Sequence, residues 1–288
     1  MSTTAAGSHD SHFDSDRLTV VQRRRGWTPL DLRELWDYRE LLYFLVWRDV
    51  KIRYKQTAIG AAWVILQPLL AAAIFTVVFG HFMHGPTNGV PYLVLTYSAM
   101  LPWLLFANAL ASSTKSIVEN QALVTKVYVP RIMIPVAPVL AGLVDFAVGS
   151  VILVGLMAWY RIVPPWQVLT YPFWILFLIT SAVAITIWLS ALNVKYRDVQ
   201  YTVPFLVQAW FFATPVAYSW LVFPIVWRQW LGVNPMAGVV QGFRWSLFGH
   251  QAARIAHLEL LSFGVVVLLL AGGIEYFRRV ERSFADVV

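Results

Sequence analysis

The sequence predicts an all-α polytopic membrane protein with six transmembrane helices, an N-terminal cytoplasmic interfacial helix and a re-entrant periplasmic helical hairpin before the last span. Three observations predict it. The 288-residue chain is 59% hydrophobic and only 13% charged, about half the charged content of a soluble domain. Several uninterrupted apolar stretches of about 20 residues are each long enough to cross a hydrocarbon core of about 30 Å as a helix, and they lack the ten-residue alternation of a transmembrane barrel. Lys and Arg are divided unequally between the intervening segments, 18 on one side against 4 on the other. Cytoplasmic loops retain the excess of cations, so both termini are expected in the cytoplasm.

Residues 1–26 are polar, carry acids and bases together, and read as a flexible tail without the apolar core of a cleaved signal. Within 27–56, Thr28, Pro29 and Asp31 make a helix-start pattern. The apolar run 41–47 is too short to cross a bilayer and suits its surface, with Tyr43 and Trp47 at headgroup depth. Arg48, Lys51, Arg53 and Lys55 then form a cationic elbow facing the anionic inner leaflet, where each cation contributes about 1 kcal/mol. The spans are read at 57–80, 92–113, 132–160, 170–192, 199–220 and 257–277, making 57–277 the transmembrane domain and 278–288 a cytoplasmic tail. Between the last two spans, 221–256 is too apolar for a free loop. Asn234 followed by Pro235 is a helix-start signal that divides it into the two short arms of a hairpin.

Polar residues inside the spans fall on faces. Gln56, Gly60, Trp63 and Gln67 share one face of the first span, just before Pro68, which should kink it. Tyr97, Leu101, Leu104, Asn108 and Ala111 share a face of the second, and Gln208, Trp210, Thr214 and Tyr218 punctuate the fifth. Such residues either join helices through hydrogen bonds or line a path; Trp63, Gln67, Tyr97, Asn108, Gln208, Trp210 and Tyr218 are the candidate lining. Asp145 sits near the middle of the third span, where an ionised carboxylate costs about 2.5–3.5 kcal/mol. The spans offer it no cation or second acid, so it is expected to be hydrogen-bonded to a neighbouring helix or a partner protomer rather than to relay protons. The sequence carries no phosphate-binding loop, dinucleotide fingerprint, nucleophile elbow or metal-binding His pattern, and no cysteine. No catalytic residue, metal or cofactor is expected in this chain, and energy for pumping would come from another.

The stretches RELLYFLVWRDVKIRYKQTAIGAAWVILQPLL, NQALVTKVYVPR, LSALNVKYRDVQYTVPFLVQAWFFATPVAYS, NPMAGVVQGFRWSLFG and EYFRRVERSFADVV resemble, in the same order, the permease subunit of bacterial polysaccharide-exporting ABC transporters. The similarity spans residues 26–288 and is to the O-antigen type among type-2 ABC exporters, with teichoic-acid and capsule exporters as relatives. The resemblance implies a homodimer in the inner membrane with two copies of a separate ATPase, which binds ATP and Mg. Its cargo would be a polysaccharide linked through diphosphate to a polyprenol and moved outward. ATPase coupling would fall to Glu119, Asn120, Leu123, Val124, Lys126, Tyr128 and Arg131, and to Lys195, Tyr196, Arg197 and Asp198. Arg48, Lys51, Arg53 and Lys55 would meet the lipid diphosphate or the membrane lipids, and Asn234, Pro235, Arg244 and Trp245 would belong to a periplasmic gate. Nucleic acid is not an expected partner. Two alternatives stay open: an exporter of the same architecture for small hydrophobic compounds, and a membrane-embedded enzyme or scaffold without an ATPase.

Overall fold

The computed structural model describes residues 36–55, 58–82, 89–126, 129–219, 224, 230–249 and 256–281, and among these the secondary structure is wholly helical. In chain order the helices are α1 (Arg39–Lys55), α2 (Ala58–Phe75), α3 (Tyr92–Glu119), the short α4 (Gln121–Lys126), α5 (Met133–Trp159), α6 (Tyr171–Lys195), α7 (Val199–Ala213), α8 (Pro235–Phe248) and α9 (Ala256–Glu281). Pro68 lies inside α2, which continues into the wider π-helical turns of Thr76–Phe82. A 3-10 turn, Trp166–Thr170, leads into α6.

Five segments among the described residues are long and apolar enough to cross a membrane: Ala62–Phe82, Tyr92–Glu119, Met133–Trp159, Trp166–Lys195 and Leu258–Glu281. Each overlaps a span predicted from the sequence. The remaining predicted span, 199–220, is the 15-residue α7, about 22 Å long and short of a hydrocarbon core of about 30 Å. Its stop has a local cause. Thr214 is extended, with φ −107° and ψ 133°, as a residue preceding proline is pushed to be, and Pro215 comes next. Of the predicted hairpin, the second arm is α8, and Asn234 caps it as the Asn-Pro signal predicts, its side chain accepting from the Met236 N–H. Most of the first arm lies outside the described residues.

α3 is the axle of the bundle and packs against α2, α5, α6, α7 and α8. Tyr97 and Phe106 on it are fully buried. Without a hydrophobic drive between helices in lipid, close approach depends on small residues. A methyl group on Gly149 of α5 would stand 2.4 Å from Leu101 of α3, and one on Gly273 of α9 would stand 2.8 Å from the Trp188 ring of α6. Trp188 also stacks on Tyr276, ring centroids 5.0 Å apart, and its indole N–H donates to the Leu269 carbonyl at 2.8 Å. α1 lies along α5, and this contact brings the cations of α1 to the wall of the bundle.

Candidate functional site

Exposure and bonding sort the four elbow cations of α1, Arg48, Lys51, Arg53 and Lys55, into two sets. Tyr43, Trp47, Lys51 and Lys55 recur every four residues and so form one stripe. All four are exposed, and the Lys51 ammonium stands 5.6 Å from the centroid of the Trp47 ring. Arg48 and Arg53 are engaged within the protein instead. Arg48 donates to Asp49 Oδ1 at 2.9 and 3.1 Å and to Asn120 Oδ1 at 2.7 Å. Arg53 Nη1 donates to Asp145 Oδ2 at 2.6 Å, and the Tyr54 hydroxyl donates to Oδ1 of the same carboxylate at 2.6 Å. Burial first, and the bond to Asp145 second, push the Tyr54 hydroxyl pKa up, so it stays protonated and donating.

Two sequence expectations change here. Only the two lysines of the elbow point outward, because the planar guanidinium fork of Arg matches a carboxylate or amide on a neighbouring element. Asp145 is held by another helix, as expected, but its partner is a cation. That cation sits on α1, outside the spans in which a partner was sought.

Beside this ion pair, α2, α3 and α5, with Arg53 of α1, line a half-open cavity of about 320 Å³. Arg53 and Asp145 stand in its wall with Trp63 and Gln67 from α2, and Leu101, Leu104, Asn108 and Ser112 from α3. The periodic face read on the second span is therefore the cavity face of α3, with one exception. Tyr97, one turn earlier, is fully buried and spends its hydroxyl on the Gly149 carbonyl at 3.2 Å. Gln208 is exposed on α7. Trp210 packs edge-on to Phe106, ring centroids 5.2 Å apart. Gln208, Trp210 and Tyr218 do not reach the cavity wall.

At the opposite end of α3 the chain turns through Asn120 into α4. The Asn120 carbonyl accepts from the Leu123 and Val124 N–H groups at 2.9 and 3.1 Å, and its side-chain amide donates to the Ser116 carbonyl at 2.7 Å. Val124 is buried with Ile117, Ile134, Ile187, Ala191, Val194 and Phe277, and Leu123 packs against this cluster. Both were expected to take part in ATPase coupling; Val124 is spent on fastening α4 to its own bundle, while Leu123 is half-buried beside it. The outward positions are Glu119, Gln121, Ala122 and Thr125, with Glu119 paired to Lys115 at 2.9 Å. Arg131 donates to the Glu281 carbonyl at the end of α9. The Lys126 side chain and Tyr128 lie outside the described residues. Lys195, Tyr196, Arg197 and Asp198 are exposed in the turn between α6 and α7, with the Lys195 ammonium 5.2 Å from the Tyr196 ring centroid.

Near the start of α8, Asn234 Oδ1 also accepts from the Trp210 indole N–H at 2.9 Å, while Nδ2 donates to Thr214 Oγ1 at 2.9 Å. Arg244 is 3% exposed and donates to the carbonyls of Pro215, Val216 and Tyr218 at 2.8, 2.7 and 3.2 Å and of Leu95 at 3.4 Å. It staples α8 to the unwound stretch after α7, where carbonyls have lost their helical partners. A buried guanidinium has to spend its donors on acceptors, and here these are backbone carbonyls of the segment that leads to the expected gate. Trp245 beside it is half-buried, and Pro235 is buried.

The sequence pattern of the ABC-2 type transporter family matches residues 40–248. This chain belongs to that family. Its similarity to the O-antigen export system permease protein RfbA of Myxococcus xanthus is 30% identity over 259 residues, covering 89% of this chain and 98% of the relative. An O-antigen export system permease protein RfbA of Klebsiella pneumoniae is 25% identical over 250 residues, 86% and 95% of the two chains. The polysialic acid transport protein KpsM of Escherichia coli is 24% identical over 240 residues, 81% and 91%. In this ABC-2 transporter chain, Tyr54 and Ser112 are site residues that sequence reasoning missed. Ser112 lies four residues beyond Asn108 on the same face and could have been found by extending it; nothing local marks Tyr54. Among the described residues there is no cluster of acids, His or Cys fit to hold a metal ion.

Proposed function

We propose that this chain is the membrane subunit of an ATP-driven exporter that carries polyprenol-diphosphate-linked polysaccharide of the O-antigen kind outward across the inner membrane. It pairs with a second copy, and two copies of a separate ATPase dock on the cytoplasmic side and supply the energy. The observation that supports this most is the similarity to O-antigen export permeases along nearly the full length of both chains. The geometry is in keeping with it. The exposed positions Glu119, Gln121, Ala122 and Thr125, with the turn 196–198, form the docking face for the ATPase. The outward stripe of Lys51 and Lys55 beside Trp47 and Tyr43 suits the zone where a lipid diphosphate meets headgroups. α8 and the preceding segment form the re-entrant hairpin on the far side, with both termini cytoplasmic and a sixth crossing shared between α7 and the segment after it. Export of a capsule polymer is the second reading, favoured by the similarity to a polysialic acid transport protein.

The test is to shut off expression and locate polyprenol-linked polysaccharide by fractionation and surface labelling. Accumulation on the cytoplasmic side with loss from the surface is expected, and chemical analysis of the retained glycan separates O-antigen from capsule. Unchanged surface glycan would overturn the assignment.

A further inference from the structure

We propose that the cavity between α2, α3 and α5 is a saccharide-binding subsite, contained in one protomer and sized for a single pyranose ring. This deepens the function proposed above and rests on it for the statement that the cargo is a glycan. Its charge argues against the lipid diphosphate as occupant. Arg53 and Asp145 are the charged groups of the wall and neutralise each other across 2.6 Å, so a phosphate arriving there would have to displace the carboxylate.

The remaining polar groups suit a neutral ligand that both donates and accepts. Gln67, Asn108 and Ser112 face the cavity, and none of the three has a protein hydrogen-bond partner among the described residues. Amides and hydroxyls left bare against hydrocarbon are costly, so these three call for water, a polar ligand that replaces it, or a polar group of the second copy, and a bound saccharide is the reading tested below. Asp145 keeps spare acceptor positions beside its bonds to Arg53 and Tyr54. Trp63, 53% exposed, provides an aromatic wall for the apolar face of a ring. The volume of about 320 Å³ lies at the small end of the range of about 300–1,000 Å³ for ligand pockets, room for one ring rather than a chain.

The experiment uses the full chain in lipid nanodiscs and saturation-transfer NMR with the methyl α-pyranosides of glucose, galactose and mannose. At least one should bind saturably, with inorganic diphosphate unable to compete, and the double variant Gln67→Leu/Asn108→Leu should bind about tenfold more weakly. Both positions are exposed and unpartnered, so the variant is expected to fold; Trp63→Leu, on a different helical position, should weaken binding in the same direction. Glu275→Gln, on α9 and outside the cavity wall, should leave it unchanged. No saturable binding of any of the three, equal binding by the double variant, or competition by diphosphate would each overturn the proposal. Failure here is separable from failure of the function. Glycan that stays at the surface after shut-off removes the polysaccharide cargo without touching the binding result. Normal export and normal binding by Gln67→Leu/Asn108→Leu removes the subsite and leaves the exporter standing.

Discussion

The Arg53–Asp145 pair should be a measurable tie between α1 and α5. Asp145 accepts two bonds of 2.6 Å, one from a guanidinium and one from the Tyr54 hydroxyl, and hydrogen bonds to charged groups contribute about 1.5–3 kcal/mol each. The side chains are 28% and 19% exposed, so solvent competes and the lower end applies. Asp145→Ala should therefore cost about 3 kcal/mol, roughly half of it belonging to the arginine. A double-mutant cycle with Arg53→Met and Asp145→Leu isolates that half, because the double variant leaves no unpaired charge behind. Equilibrium unfolding of the full chain in bicelles is the assay, and a coupling energy of about 1.5 kcal/mol is expected. A coupling energy below about 0.5 kcal/mol, the level at which independent sites add, would refute the view that this pair fastens α1.

Three further outcomes are expected. Asn234→Ala removes an N-cap, at about 1 kcal/mol, and the bonds to Trp210 and Thr214, at about 1 kcal/mol each; unfolding in bicelles should show a loss of about 3 kcal/mol, and Asn234→Asp, which keeps the Oδ1 contacts, a smaller one. Gly242→Ala would put a methyl group 2.1 Å from the Trp174 ring and should destabilise by about 1–3 kcal/mol, while Gly155→Ala, with nothing within 4 Å of the added carbon, should be neutral or stabilising by up to about 1 kcal/mol; the same sign for both would contradict the packing described. Because Tyr54 has a folded pKa above its unfolded value of about 10, its contribution is present below about pH 10 and falls as pH rises beyond that, since the unfolded chain loses the proton first. Tyr54→Phe should flatten the decline in stability between about pH 9 and pH 11, and parallel curves for the two proteins would count against the bond.

What was legible in the sequence was whatever local chemistry decides. The spans come from composition, and the start of α8 comes from Asn234 and Pro235, two adjacent residues. Pro215 is an equally local signal, yet it lies inside an apolar run whose length suggested a crossing, and it shortens α7. Periodicity gave the cavity face of α3 but not what stands opposite each position, so Tyr97 was grouped with Asn108 although Gly149 of α5 sits against it. Partners were the least legible. Arg53 and Asp145 are 92 residues apart and Arg48 and Asn120 are 72 apart, separations at which neither spacing nor composition pairs one residue with another.

Those two arginines also bear on how a push from an ATPase would travel, given the proposed function. They are five residues apart on one continuous helix, about 7.5 Å along its axis; Arg48 holds the residue that caps the turn into α4, and Arg53 holds the wall of the cavity. A displacement of α4 thus has a route to the cavity through α1 that does not require repacking α3, most of whose span is buried and costly to shift. Asn120→Ala breaks the first bond, together with the local bond of its amide to the Ser116 carbonyl, and leaves the buried Val124 anchor of α4 in place, so ATP hydrolysis by the reconstituted complex should continue while export per ATP falls by several-fold, as expected for loss of a charge-assisted bond. Export and hydrolysis falling together would mean that Asn120 only supports docking, and unchanged export would take α1 out of the route.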